Sequence, residues 1–256
     1  MTKYDIVLVA HEKDFGNLKF IIEQAETNLV DSENIHLILS ERTPYTDLEL
    51  LKTLTKKPVY IHKESDVLQI DRSRLKYRPN WIYQMLLKML QNVTQNENFL
   101  IIESDCVILQ PISFFDNNKT TFYLCRDQNH QPYFNFNNKV LGIGREYNHS
   151  FISEFMMYNK SKVKEMISKA GCNNTEEFVN LIYDSVDGNC YPADYELYGN
   201  FCYKFFPNEF EVRKIDFGFF GREAREKPFW DDNEIKFLIE NNKNKPVISF
   251  HTWGLN

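Results

Sequence analysis

"NFLIIESDCVILQPISFF", residues 98–115, is the stretch on which the fold turns. Four apolar residues, Phe99 to Ile102, run directly into Glu103-Ser104-Asp105, and Val107-Ile108-Leu109 follow. A run that continuously apolar predicts a strand buried on both faces, the kind found in parallel sheets. Such a strand ending on two carboxylates needs a reason, because an unpaired buried charge is costly. In an open parallel sheet, ligands bind outside the carboxyl ends of the strands, and Glu103 and Asp105 stand at such an end.

The residues before this stretch supply the rest of a sheet. Tyr4 to Ala10 (YDIVLVA) predicts a first buried strand, followed by the polar turn HEKDFGN. Leu18, Ile21, Ile22, Ala25 and Leu29 recur at helical spacing. Ile35 to Ser40 predicts a second strand, Thr46 to Thr55 a short helix with Asp47 and Glu49 in its first turn, and residues 58–62 a third strand. In "RPNWIYQMLLKMLQNV", Trp81, Met85, Leu86, Met89, Leu90 and Val93 form one apolar side of a helix that opens at Pro79 and Asn80. Strand, helix, strand, helix, strand implies the α/β class, with a mostly parallel central sheet flanked by helices. Past residue 120, strands are expected at 121–127 and 151–159, helices at about 160–170, 175–184 and from 193, and a final strand in PVISFHTW. No repeat, low-complexity linker or composition break divides the chain, so residues 1–256 are expected to form a single domain.

Composition bounds the function. At 256 residues the chain can bury a substantial core. The net charge of −6 provides no overall basic field, which argues against nucleic acid as a partner. Arg72, Arg74, Lys76 and Arg78 form a local basic cluster, a solvated loop or a group able to neutralise a diphosphate. The five cysteines at 106, 125, 172, 190 and 202 are odd in number and show no CxxC spacing. That pattern argues against a disulfide framework or structural zinc and fits a reducing cytosol. The N-terminus lacks a signal-peptide core and no apolar stretch reaches membrane-span length, so a cytoplasmic location is expected, at most peripheral to the inner membrane face. Phe (21), Tyr (14) and Trp (3) are abundant and supply flat faces on which sugars and bases stack, although most such rings are expected in the core.

Alternate residues of an extended segment point the same way, so Glu103 and Asp105 are expected to converge on one hard cation. On these residues "LIIESDCVILQPISFF" resembles the DxD segment of GT-A glycosyltransferases. More narrowly, "NWIYQMLLKML", "IIESDCVILQPISFF", "FISEFMMYNKSKVKEMI" and "DYELYGNF", in that order, resemble bacterial glycosyltransferase-like proteins of surface-polysaccharide (capsule and O-antigen) gene clusters. The resemblance covers roughly residues 1–205 and implies a GT-A, Rossmann-like fold, with a nucleotide-sugar-binding half at about 1–110 and an acceptor-binding and catalytic half at about 111–256. It also implies Mn2+ or Mg2+ under a nucleotide diphosphate sugar, UDP-linked by analogy, and a glycan or lipid-linked glycan acceptor. Glu103 stands where the broader pattern has Asp, which makes Asp105 the firmer ligand and leaves Glu103 to act through water.

The resemblance implies three further groups of site residues. His251 in "ISFHTW" matches the C-terminal histidine that completes the metal shell in many GT-A enzymes, and neutral imidazole is a competent manganese ligand. In "YPADYELYGNF", Asp194 at a helix start is the expected base that takes the acceptor's proton in an inverting transfer, with Glu196 as the alternative. Acidic residues are also favoured in any first helical turn. Ala10 and His11 occupy the place that receives the nucleotide, Gln84 and Lys88 lie four apart on one helix face within reach of base, ribose or phosphates, and Ser104 joins this donor-binding set. His130 and Tyr133 lie in a stretch expected as a polar, aromatic loop suited to an acceptor sugar. Two other functions use similar parts. A nucleotidyltransferase would be expected to carry a Gly-rich phosphate loop, whereas "AHEKDFGN" has one glycine. A carbohydrate-binding module without catalysis would tolerate Glu103 in place of Asp.

Overall fold

The computed structural model describes residues 2–43, 48–223, 227 and 229–253. Eleven strands are described: β1 (Tyr4–Ala10), β2 (Ser32–Leu39), β3 (Val59–Lys63), β4 (Asn98–Glu103), β5 (Cys106–Ile108), β6 (Phe115–Asp116), β7 (Lys119–Leu124), β8 (Phe155–Asn159), β9 (Phe210–Lys214), β10 (Phe217–Glu223) and β11 (Val247–Trp253). The α-helices are α1 (Leu18–Asn28), α2 (Leu48–Thr53), α3 (Glu64–Val67), α4 (Pro79–Leu90), α5 (Gln131–Leu141), α6 (Lys160–Lys169), α7 (Thr175–Ser185), α8 (Asp194–Phe205) and α9 (Asp232–Asn241). Thr46 and Asp47, expected at the start of α2, lie outside the described residues.

The central sheet has the order β3-β2-β1-β4-β8. Its first four strands are parallel, and β8 closes the edge antiparallel to β4. This is the mostly parallel, helix-flanked α/β sheet expected from the sequence. Side-chain alternation explains its unbroken apolar strands. Val7, Val9, Phe99, Ile101, Met156 and Tyr158 pack on one face against α4 to α8. Ile6, Leu8, Ala10, Leu100, Ile102, Phe155 and Met157 pack on the other face against α1, β5, α9 and β11. Both faces are dry, so both alternating sets must be hydrophobic. Two smaller sheets flank the central one: β10-β11-β5, in which β11 runs antiparallel to β5, and β6-β7-β9.

Two expectations from the sequence change here. The stretch containing His130 and Tyr133 is not a loop: residues 131–141 form helix α5, capped by Gly142 at φ 66°. Tyr133, Phe136, Asn137, Val140 and Leu141 form its buried helical stripe. Asn135, Asn137 and Asn138 are weak helix formers, and they obscured that period in the sequence. The strand expected at 151–159 begins only at Phe155. Before it, Ser150 Oγ accepts the Ile152 backbone N–H at 3.0 Å, which diverts the chain from strand pairing.

Helix α8 lies close to residue 151 because of a glycine. A Cβ at Gly199 would sit 2.4 Å from Phe151 Cγ, inside contact distance. Alanine is the better helix former by about 1 kcal/mol, but overpacking a core costs roughly 1–3 kcal/mol or more. Gly199→Ala is therefore expected to lower the urea midpoint, and an unchanged or raised midpoint would show that Phe151 yields freely.

Candidate functional site

The expected convergence of Glu103 and Asp105 depends on an extended backbone, and the backbone turns. Strand β4 ends at Glu103, and Ser104 and Asp105 form a turn before β5. Alternation therefore stops at Glu103, which stays on the Phe99–Ile101 face, while Asp105 is carried toward β11. The two carboxylates belong to two neighbouring clusters.

The first cluster is built by β-pairing. Strand β5 hydrogen-bonds to β11, and the Phe250 backbone N–H donates to the Asp105 carbonyl at 2.9 Å. This brings His251 beside Asp105, with Nδ1 3.4 Å from Asp105 Oδ2. On the other side, the Glu103 N–H donates to the Glu154 carbonyl at 2.9 Å, which sets Glu154 at the same edge of the sheet. Ligand atoms of Asp105, Glu154 and His251 all lie within 4.8 Å of one another. His251 Nε2 is 3.2 Å from Glu154 Oε2 but is buried without hydrogen-bonding geometry. Arg126 Nη2 holds Glu154 Oε1 at 3.0 Å.

The charges describe what this cluster lacks. Burial pushes the Asp105 carboxyl up to about 7, against the pull of His251, and the carboxylates of Glu154, Glu103 and Asp14 push it further. Burial opposes the His251 charge, yet Glu154 and Asp105 outweigh it and raise that pKa. Two carboxylates and an imidazole brought together inside a local excess of negative charge match the oxygen and nitrogen donors that manganese and magnesium accept.

The second cluster lies on the α4–α8 face. Lys88 Nζ is 2.6 Å from Glu103 Oε1 and 3.1 Å from Asp194 Oδ2, and the Tyr195 hydroxyl donates to Glu103 Oε1 at 2.7 Å. Lys88 is buried, so the ammonium expected to reach the donor is held in an internal ion pair. Burial acts against the ammonium, but Asp194 and Glu103 raise its pKa. Burial, with the Glu103 charge behind it, also raises the pKa of Asp194 against the pull of Lys88. Lys88→Met would leave Glu103 and Asp194 facing each other without a cation, at a cost of roughly 3–5 kcal/mol. The double variant with Asp194→Asn is expected to recover much of that loss in chemical denaturation; no recovery would mean that packing, not charge, sets the cost.

The other expected site residues are placed as follows. Glu196 is fully buried, accepting from Ser150 Oγ at 2.5 Å, the Phe151 N–H at 3.2 Å and Asn200 Nδ2 at 2.8 Å, so its oxygens are held within the fold. Ala10 is buried at the end of β1 and His11 is exposed just beyond it. The Ser104 carbonyl accepts from Asn17 Nδ2 at 3.0 Å, which ties the turn to the segment after β1. Gln84 is half-buried on α4. Three of the four basic residues from Arg72 to Arg78 stack on rings: Arg72 on Tyr83 at 3.8 Å, Arg74 on Tyr183 at 4.0 Å and Arg78 on Trp81 at 4.5 Å. They anchor this segment to α4 and α7, so it is not a freely solvated loop.

Glu154, Arg126 and Asp14 were not singled out from the sequence. Glu154 did leave a signal, as the one charge in the apolar run FISEFMMY.

The carboxylate–imidazole cluster thus stands at the carboxyl edge of a mostly parallel α/β sheet. Residues 22–201 match a family described as a family of unknown function, DUF6492, and the chain belongs to it. No curated protein sequence matches the chain. Among solved structures it is similar to an active-site mutant of LgtC at 12% identity and a TM-score of 0.49, over 96% of this chain and 86% of that one. It is also similar to the apo form of mouse xyloside xylosyltransferase 1 at 12% identity and a TM-score of 0.46, over 97% of this chain and 98% of that one. Among the described residues no helix is long and apolar enough to cross a membrane.

Proposed function

We propose that the protein is a GT-A glycosyltransferase that moves a sugar from a nucleotide diphosphate donor, UDP-linked, to a glycan acceptor in bacterial surface-polysaccharide synthesis, at the cytoplasmic side. The observation that carries this reading is the approach of Asp105, Glu154 and His251 within 4.8 Å at the carboxyl edge of the sheet. Those three residues would hold Mn2+ or Mg2+, which when bound supplies charge to stabilise a departing diphosphate. Glu154 takes the place in this set that Glu103 was expected to share. The N-terminal half, with Ala10, His11, Gln84 and Ser104, would receive the nucleotide, and the C-terminal half the acceptor.

The chain's own groups support an inverting reaction. Asp194 lies at the start of α8 with a raised pKa, which favours its accepting a proton from an acceptor hydroxyl. Lys88 and Glu103 fix its position, and the Tyr195 hydroxyl in turn fixes Glu103. Lys88 thereby acts through Asp194 and not directly on the donor.

A manganese titration of His251→Ala tests the metal shell. Loss of an imidazole ligand is expected to weaken manganese affinity while the melting temperature changes little. Unchanged affinity with a lowered melting temperature would make His251 a packing residue and remove the main support for the reading.

A further inference from the structure

A cavity lies beside the Asp105–Glu154–His251 cluster, at the end of β7, and its walls are basic. It measures about 190 Å³, and Cys125, Arg126, Asp127, His149 and Lys214 contribute to its lining, with Leu124 and Ile215 as the apolar part. The strand pairing of Leu124 with Lys214 builds one wall. Among the described residues its only acidic lining residue, Asp127, is already engaged: Arg145 Nη2 donates to it at 2.5 Å and the Ser150 N–H at 2.9 Å. Lys214 and His149 have no carboxylate within ion-pairing distance among the described residues.

Arg126 is the wall shared by the cavity and the metal cluster. Its Nη2 donates to Glu154, its guanidinium lies 4.5 Å from the Phe219 ring centre, and the Phe219 ring is 5.1 Å from that of His251. Its Nε is buried with no hydrogen-bond partner among the described residues. A carboxylate or phosphate there would meet the Arg126 guanidinium and the Lys214 ammonium through charge-assisted hydrogen bonds, about twice as strong as those a neutral hydroxyl accepts.

We infer that this cavity receives the anionic group of the acceptor, a carboxylate or a phosphate carried on a sugar, while Leu124 and Ile215 meet the ring. The inference rests on the glycosyltransferase reading for its choice of a sugar, and it names an acidic acceptor for that reaction. Arg126 then couples the two halves of the site, touching the acceptor's charge on one side and Glu154 on the other.

The test is calorimetry on the full chain at low salt, without metal or nucleotide, using glucuronate, glucose 1-phosphate and glucose as probes. At least one acidic sugar is expected to bind tenfold or more tightly than glucose, and which one binds better tells carboxylate from phosphate. Lys214→Gln and His149→Gln are each expected to weaken that binding severalfold, and saturating UDP with manganese is expected not to displace it. Lys214 is exposed, so its substitution should leave the fold intact, unlike that of Arg126. Equal binding of glucose, no binding of either acidic sugar, unchanged affinity in Lys214→Gln, or displacement by UDP would each overturn the inference. The direct binding measurements contain neither metal nor donor, so their failure is distinct from failure of the metal site.

Discussion

Asp105→Ala is expected to abolish manganese-dependent binding of UDP in calorimetry and, in metal-free protein near neutral pH, to leave thermal stability no lower than that of the wild type. Loss of groups that merely orient metal ligands costs about 10–100-fold in affinity, so loss of a ligand should exceed that range. The stability part follows from charge. The Asp105 pKa is pushed up to about 7 in the folded protein, first by burial, so folding favours the protonated form. An unfolded Asp titrates near about 3.9. Between those values the folded state binds more protons, and stability at this site falls as pH rises. The metal-free wild type should therefore lose stability from about pH 4 to 7 at Asp105, and Asp105→Ala should lack that component. Undiminished UDP binding in the mutant would refute Asp105 as a ligand.

Asp194→Asn is expected to spare donor binding and to cut turnover by roughly 10²–10⁴-fold, the range for removal of a general base. The substitution keeps the size of the side chain and removes the basic oxygen, and Lys88 retains Glu103 as its partner. Glu196→Gln is the contrasting change. Its hydrogen bonds to Ser150, Phe151 and Asn200 predict a loss of stability with turnover largely preserved. If Glu196→Gln is the more damaging to turnover, the two roles exchange. NMR of the product decides the stereochemistry: attack opposite the leaving diphosphate inverts the anomeric centre, and retention would rule out a base acting in one displacement.

The parallel core was legible because its signal is local. Unbroken apolar runs at Tyr4–Ala10 and Asn98–Glu103, with helical periods between them, fix strand, helix and order without knowledge of distant residues. What the sequence obscured is set by turns and long-range pairing. The turn at Ser104 and Asp105 breaks an alternation that a linear reading extends, and so it separates Glu103 from Asp105. His251 reaches Asp105 only because β11 pairs with β5 across some 140 residues of chain, and the expectation for it came from resemblance. Glu154 enters through the antiparallel edge strand, which its own sequence does not reveal. Helix α5 was hidden by its asparagines, and the Lys88–Asp194 pair by the packing of α4 on α8.

The most direct measurement is anomalous scattering from crystals soaked with UDP and manganese. The account predicts a manganese peak bounded by Asp105, Glu154 and His251, with diphosphate oxygens completing its shell and the base lying toward Ala10 and His11. Manganese at any other position, or UDP bound without metal at this edge, would contradict it.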